Sequence, residues 1–112
     1  MRLERTTLPG DILMVKLTGA LDMAGAGEID MPFSVISGAH NKVIVNLADV
    51  TFLASIGIRV LVKAARAIGR RSGRFVVFSP TEEARKVLRS TGIDTIIPVV
   101  ADEKAAVAEC SK

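Results

Sequence analysis

Tryptophan and tyrosine are absent from this 112-residue chain, and phenylalanine occurs only four times. A surface that binds single-stranded nucleic acid by stacking bases on aromatic rings therefore has little to build on. The chain also contains no recognised nucleic-acid-binding motif, and its net charge of +3 points to acidic partners in general. Direct nucleic-acid binding is not expected. Cysteine occurs once, at Cys110, and histidine once, at His40. One thiol cannot close an intramolecular disulfide, and one thiol with one imidazole makes no metal cluster. No apolar run approaches the ~20 residues of a membrane span. The opening Met1-Arg-Leu-Glu-Arg-Thr lacks the apolar core of a secretory signal. The cytosol is the expected compartment, without membrane insertion.

Catalytic signatures are missing as well. A nucleophile elbow needs Gly-x-Ser-x-Gly; Gly57 follows Ser55, but Leu53 stands where the first glycine belongs. His40 precedes the central strand and is expected at the opposite end of the sheet from Ser55, which leaves that serine without a base. Gly25-Ala-Gly27 starts like a dinucleotide fingerprint, yet Asp30 occupies the third glycine position. There is no Gly-rich phosphate loop ending in Lys-Ser or Lys-Thr. No enzyme activity and no cofactor are expected.

What is present is an alternation of strands and helices. Hydrophobic residues make up 49 %, enough for one core in a chain this short, so residues 1–112 are read as a single domain. Arg2 to Thr6 and Asp11 to Thr18 read as strands joined by a Pro9-Gly10 turn. In the second, Ile12, Met14 and Lys16 share one face and Leu13, Val15 and Leu17 the other. Gly19 to Gly27 reads as a loop and a hesitant helix start. The spacing of Ile29, Phe33 and Ile36 predicts a helix ending near Ser37, with Gly38 as its stop and Pro32 kinking it or delaying its start. Lys42 to Leu47 is a buried central strand, followed by a short polar turn and a helix from Ser55 to about Ser72, closed by Gly73.

Arg74 to Phe78 is the next strand. Ser79-Pro80-Thr81-Glu82 predicts a third helix with Ser79 as its cap, Pro80 in the first position and Glu82 completing a capping box. That helix ends near Ser90 with Gly92 as a left-handed stop. Ile96 to Val100 is a last strand, placed at an edge by Pro98, and Asp102 caps a last helix through Val107. This order predicts an α/β fold: a mixed, mostly parallel sheet of four to five strands with an antiparallel N-terminal edge, packed by about four helices.

Ser55 stands at the junction of strand and helix, and its simplest use is as an N-cap. On a helical wheel it heads a basic stripe, with Arg59, Lys63, Arg66 and Arg70 within about 20° to 80° of it. Ile58, Leu61, Val62, Ala65 and Ile68 take the opposite arc and should face the sheet. Ile56 and Val60 fall beside the stripe, away from the core arc, as an apolar docking patch. Arg59 lies one turn from Ser55, close enough to steady a phosphate on it or an acidic group of a partner.

The run Asp49-Val-Thr-Phe-Leu-Ala-Ser55-Ile-Gly57-Ile-Arg-Val-Leu61 resembles the signature of the STAS domain, the anti-sigma factor antagonists and their relatives. Leu17-Thr-Gly-Ala-Leu-Asp22 is similar to that family's glycine-x-leucine-aspartate turn, and Thr91-Gly-Ile-Asp94 precedes the last strand as it does there. The resemblance covers about Ile12 to Ala108. It implies that Ser55 is a phosphate acceptor, that Asp22 lies near it, and that Ala54, Ile56, Gly57, Arg59, Val60, Lys63 and Asp22 form a partner-binding surface. The implied partners are a histidine-kinase-like ATPase, serving as anti-sigma factor and serine kinase, and a serine phosphatase. The unphosphorylated protein would bind the anti-sigma factor and free a sigma factor.

Two positions depart from the family pattern. Ala54 stands where many members carry an aspartate before the acceptor, and Ile56 replaces a second small hydroxyl after it. The alternative is therefore a non-switching STAS module in a signalling scaffold, or the cytosolic subunit of a lipid or anion transporter. A homodimer through the same helix face is also compatible with the sequence.

Overall fold

The computed structural model describes residues Met1–Lys112. Strands β1 (Arg2–Leu8) and β2 (Ile12–Leu21) form an antiparallel hairpin. Helix α1 (Met23–Ala39) leads to β3 (Lys42–Leu53), α2 (Ser55–Arg70) to β4 (Arg74–Phe78), and α3 (Glu82–Ser90) to a 3-10 turn (Ile93–Thr95) and β5 (Val99–Val100). Helix α4 (Glu103–Cys110) closes the chain. The sheet order is β1-β2-β3-β4-β5, with every pair after the first parallel. Each crossover steps the same way across the sheet, so right-handed connections put α1, α2 and α3 on one face.

The strand pattern explains the two layers. Leu13, Val15 and Leu17 of β2, Val43, Val45 and Leu47 of β3, and Phe75 and Val77 of β4 belong to one buried cluster with α1, α2 and α3. Phe33 of α1 meets Phe75 edge-on, ring centres 6.3 Å apart. Ile12, Ile44, Val76 and Phe78 point the other way and pack under Ala106 and Cys110 of α4. The expected split of β2 into two faces is therefore observed. The β1 edge is mostly exposed and carries Arg2, Glu4 and Arg5, charges that discourage pairing with another strand.

Several boundaries differ from expectation. The strand β2 continues through Gly19, which takes a left-handed φ of +115° at a break in register with β3. Residues 19–21 are thus strand, and the helix starts at Met23, where Asp22 caps it. Gly38 lies inside α1, which runs to Ala39 through Pro32 without a break. Proline removes the amide that would bond to Glu28, and exposed Glu28 can turn its freed carbonyl to water.

The strand β3 extends to Leu53, through the stretch read as a polar turn. There Asn46 Oδ1 accepts from Ala48 N at 2.9 Å. Helix α2 ends at Arg70, short of the expected Ser72, and Ser72 takes a left-handed φ of 61° just before Gly73. Thr81, not Ser79, caps α3, accepting from Ala84 N at 3.1 Å. Ser79 instead has φ 54° and donates to Ala101 O at 3.1 Å. Gly92 is left-handed, φ 75°, as expected. The last strand shrinks to Val99–Val100 at the sheet edge, because Ile97 drops into the core while Ile96 points out.

Candidate functional site

The parallel register pairs Leu21 with Leu53, so β2 and β3 end side by side and deliver α1 and α2 at the same end of the sheet. The two starts are joined directly. Ala54 N donates to Leu21 O at 3.0 Å, and the Gly57 Cα lies so close to Leu21 that a β-carbon there would run into its side chain and approach its carbonyl oxygen to 2.9 Å. Functional groups in such sheets collect at the carboxyl ends of strands, and Ser55 and Asp22 both sit there.

Ser55 is the first residue of α2, not its cap. Ala54 holds the cap position in an extended conformation (φ −94°, ψ 160°), and no side chain bonds to the first turn. Gly57 N and Ile58 N close onto Ala54 O at 3.0 and 3.1 Å, while the amides of Ser55 and Ile56 have no acceptor within the helix. The chain turns helical one residue earlier than a serine cap requires. Ser55 is exposed at the positive end of the helix dipole, where an added anion is stabilised by ~0.3–2 kcal/mol.

Asp22 also holds the fold together locally, since its Oδ1 accepts from Gly25 N at 2.9 Å and caps α1. Ile56 is 38 % exposed, but Val60 is only 8 % exposed and packs in the main core. The expected Ile56–Val60 docking patch is corrected on this point, because α1 packs along that side of α2. Val62 and Ala65 are half-buried against the core, and Ala64 takes a fully buried place that the wheel did not assign to it.

The basic stripe is present as expected. Arg59, Lys63, Arg66 and Arg70 are all exposed. Lys63 lies 3.7 Å from Asp30 of α1, and the other three form no ion pair. On one side of the stripe a shallow groove of about 380 Å³ opens between Met23 and Gly27 of α1 and Ile56 of α2. Met23 is 74 % exposed, and Phe52, three residues before Ser55, is 56 % exposed. Both are apolar groups close in sequence to Asp22 and Ser55 that sequence reasoning missed. The signal for Phe52 was its place among Thr51 and Asp49 on the open stretch of β3.

His40 precedes β3, at the end remote from Ser55, where Arg5 Nη2 approaches His40 Nε2 at 3.2 Å. No group of three or more His, Cys, Asp and Glu residues is placed to hold a metal ion. No helix is long and apolar enough to cross a membrane. Cys110 is buried, and burial pushes its thiol pKa up against the opposing charges of Lys42 and Arg74.

The mixed five-stranded sheet, antiparallel at β1-β2 and parallel after it, with its four helices fits the STAS domain that the sequence resembles. The family model for that domain matches residues 5–106, and the chain belongs to this family. A protein of Thermotoga maritima, provisionally named an anti-sigma factor antagonist, is 30 % identical over 64 residues, 57 % of each chain. The matched segment thus spans little more than half of that relative. A protein of Bordetella bronchiseptica, provisionally named the anti-sigma factor antagonist BtrV, is 24 % identical over 96 % of this chain and 93 % of its own.

Among solved structures, one of an anti-sigma factor antagonist so assigned from Thermotoga maritima superposes with a TM-score of 0.90 at 21 % identity, covering 98 % of this chain and 95 % of that one. The Bacillus cell fate determinant SpoIIAA in its phosphorylated form gives 0.73 at 22 % identity, covering 96 % and 97 %. At these identities the structures establish a shared fold.

Proposed function

We propose that this protein is an anti-sigma factor antagonist whose binding is switched by phosphorylation of Ser55. The observation that carries the reading is that Ser55 is exposed at the first position of α2 while the cap position is filled by Ala54. A helix-capping role for the serine is thereby removed, and its hydroxyl is open to a kinase. The related fold of SpoIIAA, a protein whose structure is known in a phosphorylated form, supports the same reading.

Unphosphorylated, the protein docks the start of α2 on a histidine-kinase-like ATPase that otherwise holds a sigma factor. Ala54, Ile56, Arg59 and Lys63 form the contact, with the Asp22 turn beside them and the buried Gly57 and Val60 fixing the helix behind it. The γ-phosphoryl group of ATP bound to the ATPase passes to the Ser55 hydroxyl as its bond to the β–γ bridging oxygen breaks, the hydroxyl proton passing to a base of the kinase and ADP leaving. A phosphate brings about −1.5 to −2 charges into the contact. It ends binding by repulsion and desolvation, and the helix N-terminus holds it without unfolding. Hydrolysis by a serine phosphatase restores the docking form.

The test is affinity capture from the native host with the wild-type protein and Ser55→Asp, reading bound proteins and the Ser55 phosphopeptide by mass spectrometry. A kinase-like ATPase held by wild type and lost by the variant is the expected result. Equal capture of a membrane or scaffold complex by both, with no phosphate on Ser55, would overturn the reading in favour of a constitutive STAS subunit.

A further inference from the structure

No acidic residue occurs between Asp49 and Glu82, a stretch that carries Arg59, Lys63, Arg66, Arg70, Arg71 and Arg74. Two of these cations are held by backbone carbonyls, and Lys63 pairs with Asp30 of α1 at 3.7 Å. Arg71 donates to His40 O at 2.7 Å and Arg74 to Lys112 O at 3.3 Å. Arg59, Lys63, Arg66 and Arg70 run down the exposed side of α2 and line one groove of about 650 Å³, whose far wall is the 3-10 turn with Ile93 and Ile96. Ile96 is 49 % exposed, an apolar group left facing this groove. Asp94 on the same turn pairs with none of the four cations.

The cations fall at 59, 63, 66 and 70, so that 59 and 66, and 63 and 70, are each seven apart. A seven-residue repeat keeps one stripe facing a second helix that crosses at ~20°. From Arg59 to Arg70 the stripe is about 16 Å long at 1.5 Å per residue, which matches about three turns of a partner helix. A ligand that satisfies both the three unpaired arginines, Arg59, Arg66 and Arg70, and the apolar wall must carry carboxylates and apolar side chains on one face at the same spacing.

We infer that the groove between α2 and the 3-10 turn binds an acidic amphipathic helix of a partner protein, as a contact that extends the Ser55 surface along α2 through Arg59 and Lys63 to Arg66 and Arg70. The inference rests on the reading of α2 as a partner-binding helix, not on the partner being a kinase. Its Coulombic part weakens with salt, since all four cations are exposed. Its apolar part, on Ile93 and Ile96, does not.

A photo-crosslinking benzophenone amino acid in place of exposed Ile96, in the full-length protein in its native host, reads the occupant directly. The expected adduct is a peptide with carboxylates and apolar residues at three-, four- or seven-residue spacing. A synthetic copy of that peptide should then bind the wild-type protein, and Arg66→Ala with Arg70→Ala should weaken it tenfold or more while Lys104→Ala, on α4 across the sheet, leaves it unchanged. Adducts only to nucleic acid, to an acyl lipid or to a second copy of this chain would overturn the inference, as would a peptide without this pattern or no adduct at all. If the adduct is an acidic helix from a protein other than an ATPase, the groove assignment stands and the anti-sigma reading falls. If Ser55 capture yields the ATPase and Ile96 gives no adduct, the reverse holds.

Discussion

Gly57 of α2 sits directly on Leu21 of β2, so close that a side chain at 57 would enter the space of the Leu21 side chain and carbonyl. Leu21 is fully buried, and its carbonyl already accepts from Ala54 N, so neither side can retreat without opening the turn that presents Ser55. Gly57→Ala is therefore expected to destabilise the domain by about 1–3 kcal/mol, as overpacking of a tight core does, despite the better helix propensity of alanine. Urea unfolding measures it. A variant as stable as wild type would show that α2 can shift off β2 without penalty.

Asp22 belongs both to the family-like loop and to the cap of α1, and two substitutions separate the roles. Asp22→Ala removes the bond to Gly25 N and should cost about 1 kcal/mol, roughly 4 °C in thermal midpoint for a domain of this size. Asp22→Asn keeps a good cap and loses the charge, so it should keep nearly all the stability. If Asp22→Asn nevertheless weakens partner binding, the carboxylate contributes to the contact as well as to the cap.

The layered fold was legible because its signals are local and redundant. Alternating apolar residues in β2, the unbroken run Val43-Ile44-Val45 and the Ile29, Phe33, Ile36 spacing each report one period, and each is buried as its period requires. What was not legible depended on neighbours. Val60 reads as a surface residue on a wheel centred on the sheet, and only the packing of α1 against α2 buries it. Whether Ser55 or Ala54 holds the cap position is decided by where the backbone leaves the extended region, one residue from where a capping serine would place it. Thr81 rather than Ser79 caps α3 for a similar reason: Ser79 is drawn to Ala101 by its own hydrogen bond. The unpaired state of Arg59, Arg66 and Arg70 was equally invisible, since it depends on where α1 and the 3-10 turn place their carboxylates.

Cys110 gives the domain a pH dependence at its alkaline side. Burial against Ile12, Ile44 and Phe78 raises the thiol pKa in the folded state above its ordinary value, so the unfolded chain loses this proton first as pH rises. Below the ordinary cysteine range both states keep the proton and the group makes no difference; above it the unfolded state binds fewer protons and stability falls. Thermal midpoints between pH 8 and pH 10 should therefore decline more steeply for wild type than for Cys110→Ala. Iodoacetamide should label the native thiol far more slowly than the unfolded one. Equal slopes in the two proteins would mean that the buried thiol does not contribute.

Arg59 lies four residues after Ser55 on the exposed side of α2, where side chains at that spacing meet. It forms no ion pair in the protein, so it is free to bond to a phosphate on Ser55 or to a carboxylate of a partner. A charge-assisted bond of this kind contributes about 1.5–3 kcal/mol when shielded from water, and less while the site is open to solvent. Arg59→Ala should leave the unfolding transition within about 0.5 kcal/mol of wild type, as exposed substitutions do. It should weaken the captured partner, or speed enzymatic hydrolysis of phosphorylated Ser55, by about tenfold, the factor that corresponds to 1.4 kcal/mol. Arg59→Lys should recover the charge but not the planar fork, and so restore the effect only in part. Wild-type values for both partner affinity and hydrolysis in Arg59→Ala would remove Arg59 from the site, leaving the Ser55 switch to the helix N-terminus alone.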